Sequence, residues 1–172
     1  MDLTIRAAAE DDAEAIAAIY AHHVLHGVAS YDLDPPNAEF HRDNIRRILA
    51  ASWPFLVAEL NGAVAGYAYV TQFRDRAAYR FTAENSIYVN PDYLRRGIGK
   101  TLLKTLLDRA SSYGFRTIIA VIGGAEPASI AVHAALGFQE VGRLKGVGWK
   151  HERWLDSVYM QIDLPSSSPA RD

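Results

Sequence analysis

The chain contains no cysteine. That excludes disulfides, thiolate metal sites and a cysteine nucleophile, and it fits a reducing compartment. An excess of one charge is also missing: 18 Lys and Arg stand against 20 Asp and Glu, for a formal net charge of −2. So balanced a chain gives no electrostatic case for binding nucleic acid or an anionic membrane. No apolar run approaches the roughly 18 residues of a membrane span. The opening Met1-Asp2-Leu3-Thr4-Ile5-Arg6 is not a basic leader followed by an apolar stretch. The expectation is a soluble, cytoplasmic protein. What is present is ordinary globular material, 49% hydrophobic and 22% charged over 172 residues. That length suits one domain with its own core.

A strand is expected over residues 3–6. Glu10-Asp11-Asp12 places acid in a first helical turn, and residues 13–26 carry Ala13, Ile16, Ile19 and Tyr20 at helical spacing, with Gly27 as the stop. Pro35-Pro36 makes residues 31–36 a loop. Asn37 can cap a second helix with Phe40, Ile45, Ile48 and Leu49 on one face. Strands over 55–60 and 63–73 flank Asn61-Gly62, a strong hairpin signal. A polar loop over 74–80 precedes a strand over 82–89, and a helix follows to about Tyr113. The nearly continuous apolar run over 115–122 suits a buried strand. A short helix over 126–136 ends at Gly137, and strands over 138–147 and 154–164 close the chain as an antiparallel pair. This order predicts a mixed α/β protein, a central sheet flanked by helices, as a single domain over 1–164. Residues 165–172 are expected to be a disordered tail.

The densest signal runs from Tyr88 through Arg95-Arg96-Gly97-Ile98-Gly99-Lys100 into a periodic helix. A glycine loop at a helix start leaves backbone N–H groups free for an anion, above all a phosphate. Gly99-Lys100-Thr101 matches the end of a nucleotide P-loop, but Leu94 stands where its first glycine is required. A dinucleotide fingerprint fails because Leu102 replaces its third glycine. The remaining readings are a different pyrophosphate loop and a plain glycine turn that starts a helix. His22, His23 and His26 have neither the carboxylate pattern nor the cysteines of a metal site and read as a solvated helix end; no metal is expected.

The loop resembles that of the GNAT superfamily of N-acetyltransferases, [QR]-x-x-G-x-[GA] at a helix start. Gly97 and Gly99 match it, and Leu94 replaces the Gln or Arg. A later GNAT motif is met by Ser129, Val132, Gly137 and Phe138, with Glu126 in place of the usual Asn and His133 in place of the usual Tyr. Within the superfamily the chain resembles the phosphinothricin and methionine sulfoximine N-acetyltransferases. That likeness rests on Thr82-Ala83-Glu84-Asn85-Ser86-Ile87-Tyr88-Val89, on His133-Ala134-Ala135-Leu136-Gly137-Phe138 and on Trp154-Leu155-Asp156. The resemblance implies a mostly antiparallel mixed sheet, acetyl-CoA as acetyl donor, a small amino-acid-like acceptor and a homodimer.

Amide formation from a thioester needs a neutral amine, a base, donors to the carbonyl oxygen and an acid for the thiolate. Glu84, early in the strand leading to the loop, is the expected base, directly or through a water; the other reading is a carboxylate paired with an Arg. Ile87, Tyr88 and Val89 are expected to bind the pantetheine arm through their backbone. Arg95, Arg96, Gly97, Ile98, Gly99 and Lys100 are expected to cradle the pyrophosphate, with amides mattering more than side chains, and Glu126 is a candidate contact to the CoA arm. His133 stands where related enzymes carry an acid; it is that acid, a group that orients the substrate, or a packed core histidine. Arg74 and Arg76 are candidates for the acceptor's carboxylate or phosphinate, or plain surface charge. Tyr31 and Tyr79 are candidates for the cleft wall, or loop anchors. The absence of nucleophile motifs favours direct transfer to the α-amino group. The alternatives are a non-catalytic acetyl-CoA-binding regulatory domain and an acetyltransferase for another amine.

Overall fold

The computed structural model describes residues 2–165. Its strands are β1 (Leu3–Ala7), β2 (Phe55–Leu60), β3 (Ala63–Gln72), β4 (Thr82–Val89), β5 (Thr117–Gly123), β6 (Gln139–Lys150) and β7 (Arg153–Asp163). Its helices are α1 (Ala13–His26), α2 (Ala38–Ala50), α3 (Ile98–Tyr113) and α4 (Pro127–Ala134). Seven strands form one sheet in the order β1-β2-β3-β4-β5-β7-β6. Neighbours run antiparallel except β4 and β5, which are parallel. This is the mixed, mostly antiparallel sheet expected.

Local chemistry accounts for most boundaries. Asn61 and Gly62 both take positive φ, 50° and 84°, the geometry of a type I′ hairpin turn. The Asn37 side chain accepts the Phe40 N–H at 3.0 Å and starts α2. Gly114, at φ 118°, ends α3. Two expectations change. On α2, Ile45 and Ile48 are fully buried, but Phe40 is 55% and Leu49 38% exposed, and His41 faces inward instead. The apolar stripe is narrower than counted, because α2 meets α1 and the sheet through one edge only, the edge that carries His41, Ile45 and Ile48. β6 runs on to Lys150 because register shifts at residues 140–142 and 144–148 absorb its glycines. The tail expected over 165–172 lies outside the described residues save for Pro165, whose carbonyl accepts the Ser111 hydroxyl at 2.8 Å.

Each sheet face has its own core. Against one, α3 sets the fully buried Leu102, Leu103, Leu106 and Ala110 on Ala68, Val70, Ala83, Ile118 and Ala120. Fully burying one such leucine contributes about 1.5–3 kcal/mol. Against the other, α1 and α2 pack Ile16, Ile19, Ile45 and Ile48 on Phe55, Val57 and Tyr67. No helix among the described residues is long and apolar enough to cross a membrane.

Candidate active site

The parallel pairing of β4 with β5 is short. Residues 82–85 oppose 117–120, and no rung joins the strands beyond Asn85 and Ala120. β5 turns to β7, while β4 stays with β3 up to Val89. A wedge-shaped cleft opens between them, lined by Glu84–Tyr88 of β4, 120–123 of β5, Ser129 and His133 of α4, and Ala29, Tyr31 and Ser157. The β4 edge from residue 86 onward is therefore free of its neighbour, which suits a ligand that binds along a strand.

Strand alternation sorts the site into two sides. Glu84, Ser86 and Tyr88 share a face with their β3 partners Thr71, Tyr69 and Tyr67. Ala83, Asn85, Ile87 and Val89 share the face covered by α3 and α4. Glu84 and His133 thus approach the same cleft from opposite faces of β4.

Burial raises the Glu84 carboxyl above the ordinary glutamate range, and the Arg74 guanidinium offsets this only in part. The two are 3.9 Å apart, and Arg74 is half-exposed. Arg74 also stacks over the Phe73 ring and donates to the Phe73 carbonyl at 2.9 Å. Arg74, Arg76 and Tyr79 all stand outside the cleft lining, and of the three Arg74 approaches it through Glu84. Tyr79 packs edge-on against Phe73, and the Arg76 side chain makes no hydrogen bond or ion pair among the described residues.

His133 is 2% exposed. Its Nδ1 lies 2.7 Å from the Ser129 carbonyl, and its Nε2 lies 3.0 Å from Asn85 Nδ2. Burial lowers its pKa, opposed by the Ser129 carbonyl. Glu126 caps α4, accepting the Ser129 N–H at 2.7 Å.

Tyr31 lines the cleft, but its hydroxyl is fully engaged within the protein. It donates to the Asp156 carbonyl at 2.7 Å and accepts from Gly124 N–H and the Ser157 hydroxyl, each at 3.1 Å. Its ring fills space that a side chain at Gly148 would need. Tyr31 therefore ties the loop after α1 to the ends of β5 and β7. Beside it, the Tyr20 hydroxyl donates to Asp32 at 2.6 Å, and buried Lys150 donates to the Ser30 carbonyl at 2.7 Å.

The glycine loop lies past the end of β4. Arg95 and Gly97 take positive φ, 61° and 74°. Gly97 is the N-cap of α3, and the first helical bond runs from Thr101 N–H to its carbonyl at 3.1 Å. The amides of Ile98, Gly99 and Lys100 at the helix start thus have no intrahelical partner, which makes an anion seat. Arg95, Arg96 and Lys100 are exposed. Of the three histidines read as a solvated helix end, His23 departs: its Nε2–H donates to the Val89 carbonyl at 2.8 Å, and burial lowers its pKa. His22 and His26 stay outside, with rings 4.9 Å apart.

Sequence reasoning offers no signal for Asn85, Ser86 or Ser157 as site residues, while Ser129 enters only as a motif position and here lines the cleft. Asn85 and Ser86 sit inside a quoted motif, but only the register shows that Asn85 meets α4, 48 residues away.

Residues 5–159 match the model of the Acetyltransferase (GNAT) domain family. The chain is 47% identical to phosphinothricin N-acetyltransferase of Alcaligenes faecalis over 94% of this chain and 82% of that one. It is 38% identical to the L-methionine sulfoximine/L-methionine sulfone acetyltransferase of Salmonella typhimurium strain LT2, over 94% of this chain and 95% of that one. It superimposes with a TM-score of 0.95 on the crystal structure of a GNAT superfamily phosphinothricin acetyltransferase from Sinorhizobium meliloti in complex with AcCoA, at 45% identity over 100% of this chain and 94% of that one.

Proposed function

The chain belongs to the acetyltransferase (GNAT) domain family, and from that premise we propose that it moves acetyl from acetyl-CoA to the α-amino group of a small amino acid or analogue. It is an acetyl-CoA-dependent N-acetyltransferase; the proposal concerns acceptor and route. The acceptors proposed are phosphinothricin, methionine sulfoximine and methionine sulfone, the compounds for which its relatives are named. The observation that carries the reading is the fork between β4 and β5, with a partly buried carboxyl of raised pKa beside its apex.

The residues present suit the donor. The unpaired edge of β4 over 86–89 offers Ile87, Tyr88 and Val89 to the pantetheine arm, although the Val89 carbonyl already accepts from His23. The N–H groups of Ile98, Gly99 and Lys100 face the pyrophosphate, with Arg95, Arg96 and Gly97 shaping the loop. Glu126 is proposed near the same arm, its carboxylate already held by α4. Bound acetyl-CoA supplies the acetyl group as a thioester. Glu84 takes a proton from the acceptor's ammonium, directly or through a water. A carboxyl held above its ordinary pKa is a better proton acceptor than one in water. Arg74, beside Glu84, is the nearer candidate for the acceptor's anionic group, with Arg76 and Tyr79 further out on the same loop and Tyr31 fixing the opposite wall. Transfer is direct, without a covalent enzyme intermediate.

We further propose one catalytic domain over 1–164, a cytoplasmic location and a homodimer. Trp149 and Trp154, 55% and 66% exposed at the β6–β7 end of the sheet, form the surface a dimer would bury. Thiol release measured with phosphinothricin, methionine sulfoximine, methionine sulfone and the common amino acids tests the acceptor. Turnover with the three analogues supports it, and none with any of them under any condition overturns it.

A further inference from the structure

The hydrogen bonds around His133 determine its protonation. The Ser129 carbonyl can only accept, so Nδ1 carries a hydrogen. On the other side Asn85 offers either its amide nitrogen or its oxygen. With the nitrogen 3.0 Å away, Nε2 is the acceptor and the ring is neutral. The flipped amide would require hydrogens on both ring nitrogens, hence a buried imidazolium. The groups around the ring are the Asn85 amide, the Ser129 carbonyl and the Phe138 ring 4.8 Å away, and none is charged. Glu84 lies on the other face of β4, and the Glu126 carboxylate is turned to the Ser129 N–H. An unpaired buried imidazolium is strongly disfavoured.

The location of the pair matters as much as its chemistry. Asn85 is on the last rung joining β4 to β5, at the apex of the cleft, and α4 forms the wall there. The Asn85–His133 bond fastens that wall to β4. In this orientation Asn85 Oδ1 is buried without a protein partner among the described residues.

Building on the acetyl-transfer reading, we propose that Asn85 is a positioning residue: its amide holds His133 as the neutral Nδ1–H ring, which braces α4 at the apex of the cleft and does not protonate the departing thiolate. The proton balance closes without His133. The acceptor's ammonium loses one proton to Glu84, which passes it to solvent, and as the C–N bond forms the nitrogen loses a second to water in the cleft. The C–S bond breaks, and the thiolate takes one proton from water in the cleft. One proton is released overall. Water has access, because the Glu84 side chain is 32% exposed.

Nitrogen-15 NMR of the histidine rings near pH 7 reads the tautomer directly and does not depend on any substrate. The expected result is a His133 ring protonated at Nδ1 only; a ring protonated at Nε2 overturns the proposal. Kinetics supply the second arm. His133→Gln keeps an acceptor for Asn85 but has no titrating proton. It is expected to retain kcat within about tenfold and to leave the basic limb of the pH profile in place. His133→Leu and Asn85→Leu are each expected to raise the KM for acetyl-CoA, and the double variant by no more than either alone. Loss of a true general acid would lower kcat in His133→Gln by about 10²- to 10⁴-fold and remove that limb, which would overturn the proposal. Failure of the acceptor assay leaves the tautomer result standing, so the two readings fail separately.

Discussion

The two faces of β4 are built from different material. On the α3 side the residues around Ala83, Ile87 and Val89 are aliphatic and mostly fully buried, and one polar pair, Asn85 with His133, sits at the cleft apex. On the α1 side, next to the isoleucines of α1 and α2, β4 is surrounded by aromatic and hydroxylic groups: Tyr20, Tyr67, Tyr69 and Tyr88 pack against one another, with ring centroids 5.1–6.4 Å apart. Around them lie Ser30, Asp32, His41 and Lys150, and beyond them Glu84. The difference assigns labour. A close-packed aliphatic layer resists displacement and suits a frame. A layer of phenols and partly buried charge offers donors, acceptors and shifted pKa values, the material of an acceptor site.

The sharpest way to break this comparison is to remove chemistry from the polar face. Glu84→Gln is expected to lower kcat by about 10²- to 10⁴-fold while acetyl-CoA binding changes little. Steady-state kinetics with titrated acetyl-CoA decide it, and an unchanged kcat removes Glu84 as base. In the unmodified enzyme the acid limb of kcat/KM should lie above the ordinary glutamate range, since burial raises Glu84. Arg74→Ala should move that limb further up, because the guanidinium now holds it down.

The complementary cut is in the frame. Leu106 on α3 is fully buried in the aliphatic core. Leu106→Ala is expected to cost about 2–5 kcal/mol of folding stability. Denaturant unfolding reads this, and kcat per folded molecule should change far less than in Glu84→Gln. If the two variants behaved alike, the faces would not be separate.

How far this division was legible in the sequence depends on the range of the interaction. Asn61-Gly62 and Asn37 act within a few residues, and the hairpin turn and the cap they make are as expected from the local sequence. α1 ends at Gly27 as expected, because the Gly27 N–H closes the last turn on the His23 carbonyl at 3.0 Å. The α2 stripe was overcounted at Phe40 and Leu49, since helical spacing shows which residues share a face but not how wide a neighbour covers it. The parting of β4 from β5 was not legible, because it depends on how far two strands 35 residues apart stay paired. Glu84 was singled out by motif and chemistry. That it opposes His133 across the strand follows only from the register, and so does the contact of Asn85 with that histidine.

A smaller effect, of pH, is common to both faces. His23 and His41, toward α1 and α2, and His133, toward α3, all have pKa values held below 6.5, chiefly by burial. Each favours the neutral ring in the folded state, so its contribution is present above pH 6.5 and is lost as pH falls below it. Thermal melts should therefore decline as pH drops from neutral toward 5. His133→Gln should flatten part of that decline, and an unchanged slope in this variant would mean that His133 does not titrate on unfolding.

The smallest expected effect runs against the largest. Glu84 has a folded-state pKa above its unfolded value of 4.5. Its favourable contribution is complete below that value, where the carboxyl is protonated in both states, and is lost as pH rises through the folded pKa. At neutral pH the ionised, partly buried carboxylate is therefore a net cost to the fold. Glu84→Gln, the variant expected to be nearly inactive, should melt slightly higher than the parent at pH 7. The gap should vanish near pH 4, because a protonated Glu and a Gln are then alike in charge. A gap independent of pH would place the gain in packing instead. A lower melting temperature at pH 7 would mean that the carboxylate is well paired in the fold. In that case the Arg74 contact, at 3.9 Å, would be stronger than its half-exposed geometry implies.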